Sequence, residues 1–399
     1  MISFSDAYNH ILDHSQDYGT ETVSLKKAVG RVLAVDIYAD RDFPPFDRAT
    51  KDGIAINYNA IENGRKAFDI KATVAAGQKT YKFLEQEHCV EIMTGAVVPY
   101  EADTVVMYED ITIEHGVANL NKKVQRGQNI HDKGSDKKKG ELVLNKETKI
   151  SAAEIGVLAS VGKPFVEVKK LPRIAVISTG NELVEVEDHP LPHQIRKSNS
   201  YSLFAALHEQ QIEPLLLHLS DDKDMIRQKL GYVIQEMDVL LLSGGVSKGK
   251  FDFIPKVLAE LGVEKVFHGV SQRPGKPFWF GVYKNTNALI FSFPGNPIST
   301  FVNYHIYFKH WLQKSLRLPI PEVEVFLEDN ITVKGNLTRF LGVKVRCANG
   351  IFKAKLVPDN GSGDLTSLSR SDGFIKLDPR EVPYAIDEKV TFINTRTIL

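Results

Sequence analysis

The chain has 399 residues, 43 % apolar and 25 % charged, a mixture that suits a folded multidomain protein and excludes a fibrous or disordered polymer. Lys+Arg and Asp+Glu are balanced at 50 each, so no global field recruits nucleic acid or an acidic membrane, and any anion must be held by a local cluster. Two distant cysteines, Cys89 and Cys347, argue against a disulfide framework or a zinc site and fit a reducing cytoplasm.

The N-terminal residues lack a basic segment followed by an apolar core, so no secretory signal is expected, and no apolar stretch is long enough to span a bilayer. Residues 3–40 read as helical, with Ser5–Asp6 as a cap and a second short helix over residues 24–34 that Gly30 weakens or ends. From residue 43 to about 124, short apolar runs alternate with Gly, Pro and Asn turns, which predicts a β-rich module. Residues 127–140 are polar and loop-like. Ser151 and Glu154 form a capping box that opens a helix to residue 162.

Residues 173–313 alternate strand and helix. Strands are expected at 173–178, 214–219, 238–242, 266–270, 277–283 and 288–293, and helices at 200–210, 221–236, 253–261 and after Pro297. That pattern predicts a parallel sheet with right-handed crossovers. Leu318–Pro319–Ile320–Pro321 reads as a linker, and residues 322–399 as a small β domain.

The run Val239 to Leu242 is apolar and ends in Ser243–Gly244–Gly245–Val246–Ser247–Lys248, with Asp252 beyond. Paired glycines at the carboxyl end of a buried strand let backbone N–H groups approach a phosphate, and open α/β sheets bind ligands at that edge. Other polar loops share it: Thr179–Gly180–Asn181–Glu182, Ser220–Asp221–Asp222, Arg273–Pro274–Gly275–Lys276 and Pro294–Gly295–Asn296–Pro297. Glu182, Asp221 and Asp252 are oxygen ligands of the kind that hold Mg²⁺ together with substrate phosphates. Asp221 and Asp252 also read as helix caps, and Glu182 as a solvated loop acid. Lys248, Arg273 and Lys276 supply positive charge, with solvated loop residues as the alternative. Asn296–Pro297 opens a helix whose free N–H groups suit an anion, or simply starts that helix. Asp52–Gly53 and Thr94–Gly95 read as turn and loop. Without a GxSxG, GxxxxGK[ST] or GxGxxG, the sequence argues against a serine hydrolase, a P-loop enzyme and a dinucleotide fingerprint.

Several motifs run in order through nearly the whole chain: Pro44–Pro45–Phe46–Asp47 with Asp52–Gly53, Ile92–Met93–Thr94–Gly95–Ala96, Gly134 with Asp136, Ser178–Thr179–Gly180–Asn181–Glu182, Ser198–Asn199, the glycine loop with Asp252, Pro274–Gly275–Lys276–Pro277, Pro294–Gly295–Asn296–Pro297 and Gly361–Ser362–Gly363. In these the chain resembles the MoeA family of molybdopterin molybdenumtransferases, to which the E domain of gephyrin and its plant counterpart are related. The resemblance implies a multidomain α/β plus β fold. It comprises a discontinuous N-terminal helical domain (1–40 and 127–170), an inserted β-rich domain (41–126), a three-layer molybdopterin-binding α/β domain (171–316) and a C-terminal small β-barrel (317–399).

It also implies a cytoplasmic homodimeric transferase that takes adenylylated molybdopterin and molybdate, uses Mg²⁺, releases AMP and contacts the molybdopterin adenylyltransferase, with no nucleic acid or membrane partner. Carried onto this chain, Asp252, Glu182, Asp221, Asp52, Thr94 and Asp136 are the expected catalytic residues, the first three also holding the metal. Ser243, Gly244, Gly245, Ser247 and Lys248 are expected to cradle the pterin phosphate. Arg273, Lys276, Pro294, Asn296, Pro297 and Ser362 are expected to complete the binding of substrate and oxyanion. The chain departs from the family pattern at Lys51, where Met is usual, at Arg273, where Lys is common, and at Gly269, where some members carry Lys beside the position of His268. Near Phe340 the usual arginine is shifted to Arg339. The alternatives are an adenylyltransferase, which shares the α/β fold, and a gephyrin-like scaffold.

Overall fold

A computed structural model of the chain describes residues 1–82, 85–246 and 252–396. The chain divides into two compact units. The larger comprises Met1–Glu21, Gly30–Val32 and Val168 to the C-terminal end; the smaller comprises Thr22–Val29 and Leu33–Glu167.

The larger unit opens with α1 (Phe4–Asp13), whose cap is Ser3: its hydroxyl accepts the Asp6 N–H at 3.0 Å. The cap thus lies two residues before the expected Ser5–Asp6, because Asp6 is already in the first turn. The second expected helix shrinks to a single turn, Leu25–Lys27. Beyond it, Leu33 N–H bonds to Thr148 O and Val32 O accepts from Lys169 N–H, so the backbone groups a helix needs are spent elsewhere.

The α/β region alternates as expected. Its strands are β1 (Ile174–Thr179), β2 (Leu215–Leu219), β3 (Val239–Ser243), β4 (Glu264–His268), β5 (Trp279–Tyr283) and β6 (Ala288–Phe293). Helix α2 (Asn199–His208) follows β1, α3 (Lys223–Glu236) follows β2, and α4 (Ile254–Glu260) precedes β4. After β6 comes a helical run of α5 (Pro297–Asn303), a π turn (Tyr304–Phe308) and α6 (Lys309–Ser315). The strands order as β2-β1-β3-β6-β5-β4. The first four are parallel, and β5 runs antiparallel to both neighbours.

Alternate residues along each strand feed two cores. Ile174, Val176, Val239, Leu241, Leu289 and Phe291 face one cluster, closed by Leu203, Val302, Phe308 and Trp311. Ala175, Ile177, Leu240, Leu242 and Ile290 face the other, closed by Ile226, Leu230, Val257 and Leu258. The result is a three-layer sandwich of helices on both faces of a sheet. Phe280 and Phe291 lie 4.9 Å apart, centroid to centroid, and both are fully buried. Each such side chain contributes about 2–3 kcal/mol by leaving water.

Strands β7 (Val323–Leu327), β8 (Thr338–Ala348), β9 (Ile351–Leu356), β10 (Gly373–Leu377) and β11 (Lys389–Asn394) close a small barrel in the order β8-β9-β7-β11-β10-β8. Val325, Leu327, Val343, Ile375 and Phe392 fill it. The pair Gln272–Arg273 adds to the start of β8 in parallel.

In the smaller unit a mixed six-stranded sheet runs Thr104–Met107, Gly53–Ile56, His88–Ile92, Ala67–Val74, Val117–Leu120, Ile111–Glu114. It is the β-rich module expected from the sequence. The helix Ala152–Ser160 carries the expected capping box of Ser151 and Glu154.

His305 sits in the π turn, buried, with Nδ1 2.9 Å from Phe301 O. Burial, reinforced by Lys309, holds it down to about 3, and the same two causes hold His310 down to about 4. An unfolded histidine titrates near about 6.5, so the folded state binds fewer protons than the unfolded one below that pH. The stability from these two neutral imidazoles is complete above pH ~6.5 and declines as pH falls toward the folded values. We expect the urea midpoint to fall between about pH 6.5 and 4.5, above the carboxylate range, and His305→Gln to flatten part of that fall. A flat wild-type profile over this window would contradict it.

Candidate functional site

Four parallel strands stop at one level: Thr179 pairs with Leu219, Ser178 with Ser243, and Ser243 with Phe293. Their following loops therefore emerge at one edge. Strands β2 and β3 flank β1, so the chain crosses in opposite directions from the centre, which opens a crevice above β1 and β3.

That crevice is a cleft of about 650 Å³ lined by Thr179, Gly180, Glu182, Asp221, Ser243, Gly244, Gly245, Asp252, Pro294, Asn296 and Pro297, together with Lys197 and Asn199. Gly244 (φ +102) and Gly245 (φ +70) turn back over the end of β1 in backbone conformations that suit glycine. A Cβ at Gly244 would lie 2.7 Å from Thr179 Oγ1, and one at Gly245 3.0 Å from it. Thr179 Oγ1 is buried and has no hydrogen-bond partner among the described residues. An unpaired hydroxyl under two bare backbone turns is the kind of polar cradle a phosphate fills.

Neutral amides tie the loops together. Asn181 N–H donates to Asp221 Oδ2 at 3.2 Å and Asp221 N–H to Asn181 Oδ1 at 3.0 Å. Asn199 Nδ2 donates to Ser243 Oγ at 2.8 Å and to Gly295 O at 2.7 Å. Thr300 Oγ1 donates to Pro294 O at 2.6 Å.

The cap alternatives are decided by geometry. Asp222, not Asp221, caps α3, its Oδ1 accepting Met225 N–H at 2.8 Å. Phe253 occupies the cap position of α4 with no side-chain cap bond. Asp221 and Asp252 therefore line the cleft rather than cap helices. The Glu182 carboxylate folds back over Gly180. The donor set is all oxygen, as a hard cation requires. Among the described residues, though, the trio of ligand atoms that converges within 4.8 Å is Glu85, Glu87 and His88 in the smaller unit. Glu182, Asp221 and Asp252 share a cleft without converging, so substrate oxygens and water would have to complete a coordination shell.

A second cleft of about 450 Å³ shares Pro277, Pro294 and Asn296 with the first. Arg273, Lys276, Arg339 and Ser362 line it. Arg273 and Arg339 sit at the same register of a parallel pair. Burial, and then the neighbouring Arg273 charge, pull Arg339 below the usual guanidinium range. None of these three cations has an ion-pair partner among the described residues. Asn296 Nδ2 donates to Ser362 Oγ at 2.8 Å and closes the wall between the clefts.

Ser247 and Lys248 lie outside the described residues. Asp52, Thr94 and Asp136 belong to the smaller unit. Thr94 donates to Asp52 Oδ1 through its N–H at 2.5 Å and its hydroxyl at 2.8 Å. These bonds, the backbone one first, hold the Asp52 carboxyl below its usual range. Asp136 Oδ1 lies 2.8 Å from His131 Nε2.

The arrangement matches known proteins along its whole length. Family profiles described as MoeA N-terminal region (domain I and II), Probable molybdopterin binding domain and MoeA C-terminal region (domain IV) match residues 2–162, 175–314 and 324–394. A molybdopterin molybdenumtransferase of Synechocystis sp. is 38 % identical over 98 % of this chain and 99 % of its own length. The chain belongs to the MoeA family. Another relative of that name, from Bacillus subtilis, is 33 % identical over 94 % of this chain and 90 % of its own length. The crystal structure of a molybdopterin biosynthesis MoeA protein from Pyrococcus horikoshii superposes with a TM-score of 0.82 at 30 % identity, covering 99 % of this chain and 100 % of that one. The MoeA architecture, with its α/β domain and closed C-terminal barrel, is thus the fold of this chain.

Sequence reasoning missed Asn181, Asn199 and Lys197 as site-forming side chains. Asn181 enters the sequence reading only as part of an edge loop and Asn199 only as part of a motif, and nothing in local composition separates Lys197 from a solvated lysine. For Gly244→Ala we expect a loss of about 1–3 kcal/mol, from the strained φ and the contact with Thr179. Thermal and urea unfolding measure it; an unchanged midpoint would refute the close approach.

Proposed function

We propose that this chain inserts molybdate-derived molybdenum into adenylylated molybdopterin, with hydrolysis of the phosphoanhydride and release of AMP. One observation carries the reading: a cleft with glycine turns and three carboxylates adjoins, on the same edge, a cleft with three cations that have no ion-pair partner among the described residues. The first suits a phosphorylated organic ligand, the second a small tetrahedral oxyanion, and their common wall brings the two reactants together.

In this reading the backbone N–H groups of Gly244 and Gly245 and the Ser243 hydroxyl hold the pterin phosphate, with Ser247 and Lys248 assigned the same role from sequence alone. Asn199 orients Ser243. Pro294, Asn296 and Pro297 form the opposite wall. Glu182, Asp221 and Asp252 orient the phosphoanhydride and would hold Mg²⁺, with Asn181 fixing the Asp221 carboxylate. Bound there, Mg²⁺ would neutralise charge developing on the departing AMP. Arg273, Lys276 and Ser362, joined by Arg339, attract molybdate. Asp52, Thr94 and Asp136 are assigned to catalysis by the family pattern; Asp52 enters as an ionised carboxylate held by Thr94.

The four-domain division, a homodimer, contact with the adenylyltransferase that supplies the substrate, and a cytoplasmic location belong to the same proposal. Among the described residues, no helix is long and apolar enough to cross a membrane.

The test supplies the purified chain with adenylylated molybdopterin, Mg²⁺ and molybdate and follows AMP. Molybdate-dependent AMP release is expected, and its absence refutes the proposal. An adenylyltransferase would instead consume ATP without molybdate. Asp252→Ala is expected to abolish AMP release with the circular dichroism spectrum unchanged. Near-normal turnover in that variant would remove Asp252 from the mechanism.

A further inference from the structure

Behind the loop that carries Arg273 and Lys276 lies a polar cluster sealed from water. Gln272 and Asn303 are both 0 % exposed, as is Tyr307. Gln272 Nε2 donates to Pro274 O at 2.9 Å and to Asn303 Oδ1 at 2.8 Å, and its Oε1 accepts the Tyr307 hydroxyl. All three hydrogen-bonding positions used by this amide are therefore filled. The loop presses directly on it: a Cβ at Gly275 (φ +92) would lie 2.5 Å from Asn303 Oδ1 and 2.7 Å from Gln272 Nε2.

The cluster connects three pieces. One Gln272 bond closes the loop on itself at Pro274. The second reaches Asn303, at the end of the helix whose first residues wall both clefts. The third reaches Tyr307 in the π turn, a distortion that recurs at functional sites. On the other side, the Gln272–Arg273 backbone pairs with Thr338–Arg339. The loop is thus clamped between the barrel and the helix, with both arginines fixed by the same clamp.

Stability alone does not account for such a cluster. Asn303 Nδ2 is buried without a partner among the described residues, a cost that apolar packing at this place would avoid. We infer that Gln272 is a positioning residue that sets the Arg273–Lys276 loop for its oxyanion, with Asn303 and Tyr307 as its supports; this rests on the proposed oxyanion role of the second cleft. Gln272 touches no reactant. It acts by fixing where the cations of the loop stand, so its loss weakens molybdate binding and leaves the pterin side of the site in place.

Calorimetric titration of molybdate into the full chain, beside the AMP assay, tests this with Gln272→Leu and Tyr307→Phe. Gln272→Leu leaves three partners unpaired and is expected to raise the molybdate Kd and KM by about tenfold, with the KM for adenylylated molybdopterin within about twofold of wild type. Tyr307→Phe removes one hydroxyl at nearly constant volume and shifts the same two constants in the same direction by a smaller factor; it decides the matter if Gln272→Leu does not fold. Unchanged molybdate constants in both variants, or an equal rise in KM for both substrates, overturns the inference while wild-type AMP release still upholds the proposed function. Weaker molybdate binding in the variants with no AMP release by wild type upholds the inference and overturns the function. A wild-type chain that binds no molybdate overturns the inference.

Discussion

The shared register of β1, β2, β3 and β6 is the constraint on which everything else rests. Ser178, Ser243 and Phe293 stand level, so four loops leave the sheet at one height. The same register sorts alternate side chains between two separate cores. A slip of one residue in β3 would exchange Leu241 and Leu242 between the faces and lower Gly244 and Gly245 out of line with Pro294. Core and site are therefore specified together, and the burial of the apolar strands pins the geometry of a polar cleft that only their last residues, Ser178, Thr179 and Ser243, reach.

Among the described residues the loops above that edge are joined to one another by amides, while the Lys197–Glu185 ion pair lies within one loop. Asn181, Asn199, Asn296 and Gln272 each bridge two segments through a side-chain amide. Each bond adds only about 0.5–1.5 kcal/mol net, but an amide ties loops without consuming charge. Glu182, Asp221, Arg273, Lys276 and Arg339 consequently face the clefts with their formal charges unspent by one another. A scaffold built from salt bridges over the same loops would have neutralised the groups that make the edge chemically distinctive.

Much of this is legible in the sequence alone. Apolar runs of strand length alternating with amphipathic segments announce a parallel sheet, and the glycine pair after β3 marks the edge where the first cleft lies. Caps are displaced: Ser3 and Asp222 take the cap positions one or two residues from those the sequence suggests, a difference that composition does not resolve. The opening forty residues read as helical, yet only α1 and one further turn form, since tertiary backbone bonds claim the rest. The amide ties are invisible in the sequence because their meaning lies in partners about thirty to a hundred residues away. Arg339 illustrates the same limit. In sequence it looks displaced from the family arginine, whereas in the fold a parallel register sets it beside Arg273.

The wall common to the two clefts has a thermodynamic corollary. Pro277, Pro294 and Asn296 border both spaces, and Asn296 is bonded across to Ser362. A ligand that shifts this wall from one side alters the free energy of occupancy on the other, and linkage makes that effect reciprocal. Whatever factor a ligand in one cleft imposed on affinity in the other through this wall would be returned unchanged. Each cleft so coupled would have two affinities, set by whether its neighbour is filled.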